Sequence, residues 1–208
     1  MKFRCERDVL ADAVGSAGRA ATNRTGTLPV LSGVRMEVDG DTLTVTGTDL
    51  ELTIRLSVDV GGERDGAAVV PARLVADIAK ALPAGAVHVE LSDDEMSISA
   101  GRSQFSVRPL SLDDYPSQAE PTADAVTLPA EAMADALRQV VRAASTDDAR
   151  AVLTGVLLAS DEDGLRMVAT DSYRLAVRDL PDTGVLASGQ KVLIPGRALS
   201  ELQRLLGD

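Results

Sequence analysis

The residues best suited to chemistry are three acidic clusters, Asp93-Asp94-Glu95, Asp113-Asp114 and Asp161-Glu162-Asp163. Grouped carboxylates hold divalent cations, and a bound magnesium or manganese ion would suit a metal-dependent phosphohydrolase. The first and third clusters fall where polar turns separate apolar alternating runs, and acids at turns serve local backbone geometry without any metal. The one histidine, His88, lies between Val87 and Val89 on the polar side of a strand pattern. With no second imidazole, no Ser-His or Cys-His pair built on another histidine exists. Cys5, the sole cysteine, shares a strand face with Phe3 and reads as a buried, inert thiol. Alone it forms neither an intramolecular disulfide nor a thiolate zinc cluster. Gly61-Gly62 reads as a segment of an acidic loop with no GK[ST] to cradle a phosphate. The expectation is a protein with no catalytic residue, no metal and no cofactor.

Those residues sit in a chain of 208, with 21 Lys and Arg against 32 Asp and Glu, a net charge of −11. That balance argues against a uniformly basic nucleic-acid binder, but not against one whose charge is segregated by face. A hydrophobic share of 45% suits a globular protein. No apolar run approaches the ~18 residues of a membrane span, and MKFRCERDVL is not a signal peptide. The expected setting is the cytoplasm, with no membrane partner.

The elements that would position these side chains follow from periodicity. Leu50, Leu52, Ile54, Leu56, Val58 and Val60 alternate with polar neighbours and read as one half-buried strand. Asp39-Gly40 marks a hairpin beside Val34-Met36-Val38 and Leu43-Val45. Val87-Val89-Leu91, Met96-Ile98 and Phe105-Val107 read as three more strands. Asp8–Arg19 and Ala72–Leu82 have helical spacing, the second with a stripe of Leu74, Val75, Ile78 and Leu82. The fold class is α+β, two helices packed on antiparallel sheets.

The pattern then recurs. Val30-Leu31-Ser32-Gly33-Val34 matches Val152-Leu153-Thr154-Gly155-Val156, and Thr48-Asp49 matches Thr170-Asp171, both 122 positions on. Val70-Pro71-Ala72-Arg73 matches Ile194-Pro195-Gly196-Arg197 at 124. Two copies of one domain are implied, residues 1–120 and 121–208. The second copy repeats the helices at Ala130–Ala144 and Gly196–Leu206, but about three strands present in the first copy have no counterpart after Leu206. The expectation is a piece of a longer protein whose second domain lacks its last strands.

Charge follows the repeat as well. Residues 7–20, 72–82, 130–144 and 196–206 hold eight basic and six acidic side chains, leaving 13 basic and 26 acidic elsewhere. Arg73 and Lys80 share a helix face, Arg197 and Arg204 repeat them, and Arg19 is matched by Arg142. Two readings stand: a helical surface facing a polyanion, or ordinary solvated residues near helix C-termini. The second copy is expected to hold one extra residue between Thr170-Asp171 and the next strand, a bulge that re-aims Ser172-Tyr173-Arg174-Leu175. Tyr and Arg are residue types common in binding hot spots.

Several motifs together resemble the bacterial DNA polymerase III beta subunit family, the sliding clamps, over the whole chain. They are the MKF start, Arg24 ahead of Leu28-Pro29-Val30-Leu31, Gly47-Thr48-Asp49-Leu50-Glu51, Val70-Pro71-Ala72-Arg73, Gly101-Arg102-Ser103-Gln104-Phe105-Ser106, and Ala169-Thr170-Asp171-Ser172-Tyr173-Arg174-Leu175-Ala176-Val177. The Ala- and Arg-rich, acidic composition resembles actinobacterial members. The resemblance implies a repeated DNA-clamp fold with three domains per subunit, the third absent from this chain. It implies a head-to-tail homodimer ring around duplex DNA and a non-catalytic processivity role. Helix residues lining the hole would include Arg73, Lys80, Arg138, Arg142, Arg197 and Arg204, with Arg24 as a further DNA contact. A pocket for short motifs of the polymerase III alpha subunit, the clamp loader and other partners would draw on Arg150, Val152, Leu153, Thr170, Ser172, Tyr173, Arg174 and Leu175. Many relatives carry Gly-His at Ser172-Tyr173 and aromatics at Ala151 and Val152. The other readings are a stand-alone interaction module and the acidic-cluster phosphohydrolase.

Overall fold

A computed structural model describes residues 1–22, 28–92, 94–117, 127–161 and 164–207. The chain divides into two compact units, Met1–Ala119 and Glu120–Asp208.

The first unit runs β1 (Lys2–Glu6), α1 (Arg7–Ala17), β2 (Gly33–Asp39), β3 (Thr42–Thr48), β4 (Thr53–Asp59), β5 (Gly61–Arg64), β6 (Gly66–Pro71), α2 (Ala72–Ala81), β7 (Ala86–Ser92), β8 (Glu95–Ala100) and β9 (Ser103–Val107). Two antiparallel sheets result, β5-β1-β7-β8-β9 and β4-β3-β2-β6. Strand alternation drives one face of each sheet inward: Phe3 and Cys5 from β1, Val34 and Met36 from β2, Leu43 and Val45 from β3, and Val87 and Val89 from β7 share one core with both helices. Small residues let α1 approach closely. A Cβ on Gly47 of β3 would stand 2.0 Å from the Ala17 carbonyl oxygen, so only glycine admits the end of α1 there. A smaller cluster occupies the opposite face of the β2–β3–β6 sheet: Val30, Leu31, Val69 and Tyr115, with Leu110 against them.

The second unit runs α3 (Ala130–Val140), a 3-10 turn (Val141–Ala143), a longer 3-10 stretch (Asp148–Thr154), β10 (Gly155–Asp161), β11 (Gly164–Thr170), β12 (Leu175–Pro181), β13 (Lys191–Pro195) and α4 (Gly196–Gly207). Its sheet, β12-β11-β10-β13, repeats the order β4-β3-β2-β6. Met133, Leu137, Val156, Leu165, Met167 and Leu199 fill its core. The α+β class with antiparallel sheets is therefore as the pattern implied. Among the described residues no helix is long and apolar enough to cross a membrane.

Four expectations need correction. Leu50 and Leu52 are not strand residues: β4 begins at Thr53, and Leu50 is 63% exposed in a turn. No extra residue precedes β12, because Thr48 pairs with Thr53 and Thr170 with Leu175, loops of equal length. The shift in spacing arises later: β4 and β12 begin 122 apart, whereas Pro71 and Pro195, closing β6 and β13, are 124 apart. Gly61-Gly62 opens strand β5 against β1, where a Cβ on Gly62 would stand 1.8 Å from the Gly40 carbonyl oxygen. On α2, Leu74 is 48% exposed, and Ala72, Ala76 and Ala79 complete the face with Val75 and Ile78.

Candidate functional site

In the first unit, Arg19 follows α1 while Arg73 and Lys80 stand on α2, all exposed, around a cavity of about 310 Å³ that Ser32 and Asp77 also line. Lys80 is in the last turn of α2, where the helix dipole favours a cation. Arg73 lies 4.0 Å from Asp77, with both side chains largely in water, so the pair is weak and Arg73 is easily recruited by another anion. In the second unit Arg138 closes α3 and pairs with Asp135 at 2.5 Å. Arg142 stands in the following 3-10 turn, and Arg197 and Arg204 stand on α4, the latter paired with Glu201. Arg24 lies outside the described residues. These guanidinium and ammonium groups stand on helix surfaces as solvated charge, suited to a polyanion's field rather than to reading bases.

The groups that could have done covalent chemistry are placed otherwise. Burial pushes the Cys5 thiol up to about 11, leaving it protonated at neutral pH. His88 is exposed on β7. Asp94 and Glu95 sit at the β7–β8 turn and Asp161 ends β10, while Asp93, Glu162 and Asp163 lie outside the described residues. Among the described residues no three His, Cys, Asp or Glu side chains are grouped to hold a metal ion.

A second site forms at the β11–β12 turn. Thr170 Oγ1 donates to the Arg174 carbonyl at 2.7 Å and accepts from the Ser172 N–H at 3.1 Å. Asp171 Oδ1 accepts from the N–H groups of Tyr173 and Arg174, each at 3.0 Å, and its Oδ2 from Arg174 Nε at 3.0 Å. The Tyr173 and Arg174 amides, then the Arg174 charge, hold that carboxyl below its usual range. Arg150 ties the preceding 3-10 stretch to this turn, its Nη1 donating to the Asp171 carbonyl at 3.2 Å and to Ser172 Oγ at 3.4 Å. Asp147 Oδ2 accepts from Arg150 Nε at 3.1 Å and orients it.

The turn thus holds Tyr173 93% exposed, with Leu175 at 65% and Val152 at 74%. Leu153 is half-buried. Of the eight residues singled out, Arg150, Thr170, Ser172 and Arg174 are joined by hydrogen bonds, and Val152, Tyr173 and Leu175 are large groups left in water. Asp171 and Asp147 hold the arrangement, and residue type alone singled out neither. The repeat carried the signal for the first, since Asp49 makes the same bonds to Glu51 and Leu52.

Residues 1–119 match the family model for the DNA polymerase III beta subunit, N-terminal domain, and residues 127–208 that for its central domain. The chain is 36% identical to the beta sliding clamp of Micrococcus luteus over 208 residues, all of this chain and 67% of the relative. It is 34% identical to that of Streptomyces coelicolor, covering 99% of this chain and 55% of the relative. The sliding clamp structure from Bacillus subtilis superposes with a TM-score of 0.89 at 32% identity, covering all of this chain and 57% of that one. The DNA polymerase III subunit beta of Pseudomonas aeruginosa gives 0.91 at 31%, with the same coverage. The chain therefore spans between about half and two thirds of the length of the proteins it matches.

Proposed function

The chain belongs to the DNA polymerase III beta subunit family, and on that premise we propose that it acts within a sliding clamp, a non-catalytic processivity factor that encircles duplex DNA and tethers the replicative polymerase. The observation that carries this reading is the division of charge. The first unit presents Arg19, Arg73 and Lys80 on or beside its helices and the second presents Arg138, Arg142, Arg197 and Arg204, all exposed, while the rest of a chain of net charge −11 is strongly acidic. A modestly positive helical lining attracts the phosphates without gripping any one register, so the ring slides, and the acidic remainder disfavours DNA elsewhere.

The ring is read as a homodimer working in the cytoplasm on DNA of any sequence. The polymerase III alpha subunit, the clamp loader and other motif-bearing proteins would dock at the second unit, where Arg150 and Asp171 hold Tyr173, Arg174 and Leu175 outward. Changing Arg73 and Arg197 to Glu in the ring tests the lining. The expected result is a shorter residence on DNA in low salt. Unchanged residence would contradict the assignment.

A further inference from the structure

One side chain of the second unit ties two distant stretches of backbone together. The Arg150 guanidinium donates from all three of its nitrogens: Nε to Asp147 Oδ2 at 3.1 Å, Nη2 to Ser145 Oγ at 3.3 Å, and Nη1 to the Asp171 carbonyl at 3.2 Å and Ser172 Oγ at 3.4 Å. The groups that hold it are themselves fixed. Ser145 is buried, its N–H donates to the Leu153 carbonyl at 2.8 Å, and its hydroxyl also accepts from the Asp147 N–H at 3.1 Å. Asp147 Oδ1 caps the 3-10 stretch through the Ala149 N–H at 3.1 Å, which leaves Oδ2 for the guanidinium. Arg150 itself leaves helical backbone inside that stretch, with φ −115° and ψ 57°.

The first unit has the same turn without this brace. Thr48 and Asp49 bond the amides of Leu50, Glu51 and Leu52 as Thr170 and Asp171 bond those of Ser172, Tyr173 and Arg174. The repeat that aligns Val30 with Val152 places Leu28 at the position of Arg150, and leucine has no side-chain donor. The brace therefore belongs to the second copy and is not needed to form the turn. A planar fork with each nitrogen committed to the protein is suited to fixing geometry rather than to gripping a ligand.

We infer that Arg150 is a positioning residue, held by Ser145 and Asp147, that locks the β11–β12 turn to the 3-10 stretch and so presents Tyr173, Arg174 and Leu175 to a partner in one preset pose. The inference rests on reading that turn as a docking surface, and adds which residues preorganise it. A turn already held in its docking pose loses less freedom on binding, so the partner leaves more slowly. Asp147→Asn separates the two jobs of Asp147. The amide oxygen still caps Ala149, but the amide nitrogen cannot accept from Arg150 Nε.

The test is a double-mutant cycle of Asp147→Asn and Arg150→Ala, read by NMR as water exchange of the Tyr173 and Arg174 amides. The expected result is exchange about fivefold faster in each single variant, with no further gain in the pair. The Glu51 and Leu52 amides, bonded alike in the first unit, serve as the internal control and keep their rates, and the urea midpoint stays that of the parent. In the full-length ring, Asp147→Asn is expected to speed dissociation of the polymerase III alpha subunit by about fivefold, and by nothing more once Arg150 is alanine. Unchanged exchange, additive effects in the pair, or unchanged dissociation from the Asp147→Asn ring overturns the inference. An unaltered ring that fails to bind the alpha subunit counts against the docking reading alone, and the exchange cycle still decides the brace.

Discussion

Leu50 and Ser172 stand 122 positions apart and adopt the same left-handed backbone, φ 77° and φ 79°, at the same point of the same turn. In both, a threonine hydroxyl accepts from that residue's N–H, Thr48 at 3.1 Å and Thr170 at 3.1 Å, and donates to the carbonyl two residues further on. The backbone of the candidate docking turn is therefore an inherited feature of the fold. What distinguishes the second copy is what it displays: Tyr173 and Arg174 where the first has Glu51 and Leu52.

A left-handed residue other than glycine carries about 1–2 kcal/mol of strain, against about 0.5–1 kcal/mol for glycine's extra freedom in the unfolded chain. Leu50→Gly removes a side chain that is 63% exposed and packs little. It is expected to raise stability by about 0.5 kcal/mol, read as a higher urea midpoint. A lower midpoint would show that the turn is not strained at Leu50.

Gly47→Ala is expected to act in the opposite sense. Its Cβ would stand 2.0 Å from backbone in α1, so helix and sheet must move apart. A loss of about 1–3 kcal/mol in chemical denaturation is predicted. Stability within about 0.5 kcal/mol of the parent would mean that α1 does not rest on β3 there.

Asp171 supplies a pH dependence. Its carboxyl, held below the ordinary 3.8 by the Tyr173 and Arg174 amides, stabilises the turn fully above that value and loses this contribution as pH falls through the lower folded value. The Tyr173 and Arg174 amide resonances should titrate with a midpoint below 3.8, and Asp171→Asn should abolish that titration. A midpoint at or above 3.8 would contradict the bonding described.

Much of this was legible in the sequence because it depends on local period and on repetition. The helix of Val75 and Ile78, the strand of Val87 and Val89, and the matched Thr-Asp pairs all declare themselves within a few residues or by self-comparison. The failures share a physical cause. Leu50 and Leu52 continue the alternation of β4, but Asp49 caps the amides of Glu51 and Leu52 and turns the chain, and a binary pattern does not register a side chain bonding backbone. Gly61-Gly62 carries no apolar period, and its strand identity depends on pairing with β1, far earlier in the chain. Tyr173 and Arg174 stood out by residue type. The Arg150 brace behind them depends on a contact across 21 residues that no spacing rule announces.

In the ring proposed here, basic helices turned to the duplex would hold the protein on DNA topologically. The most direct measurement loads the clamp on closed circular DNA, then linearises the circle and follows what stays bound at moderate salt. A ring around DNA predicts stable retention on the circle, rapid loss from the free ends once it is cut, and faster loss from the circle after Arg73→Glu with Arg197→Glu. Equal retention on circular and linear DNA, at a level set only by salt, would contradict it.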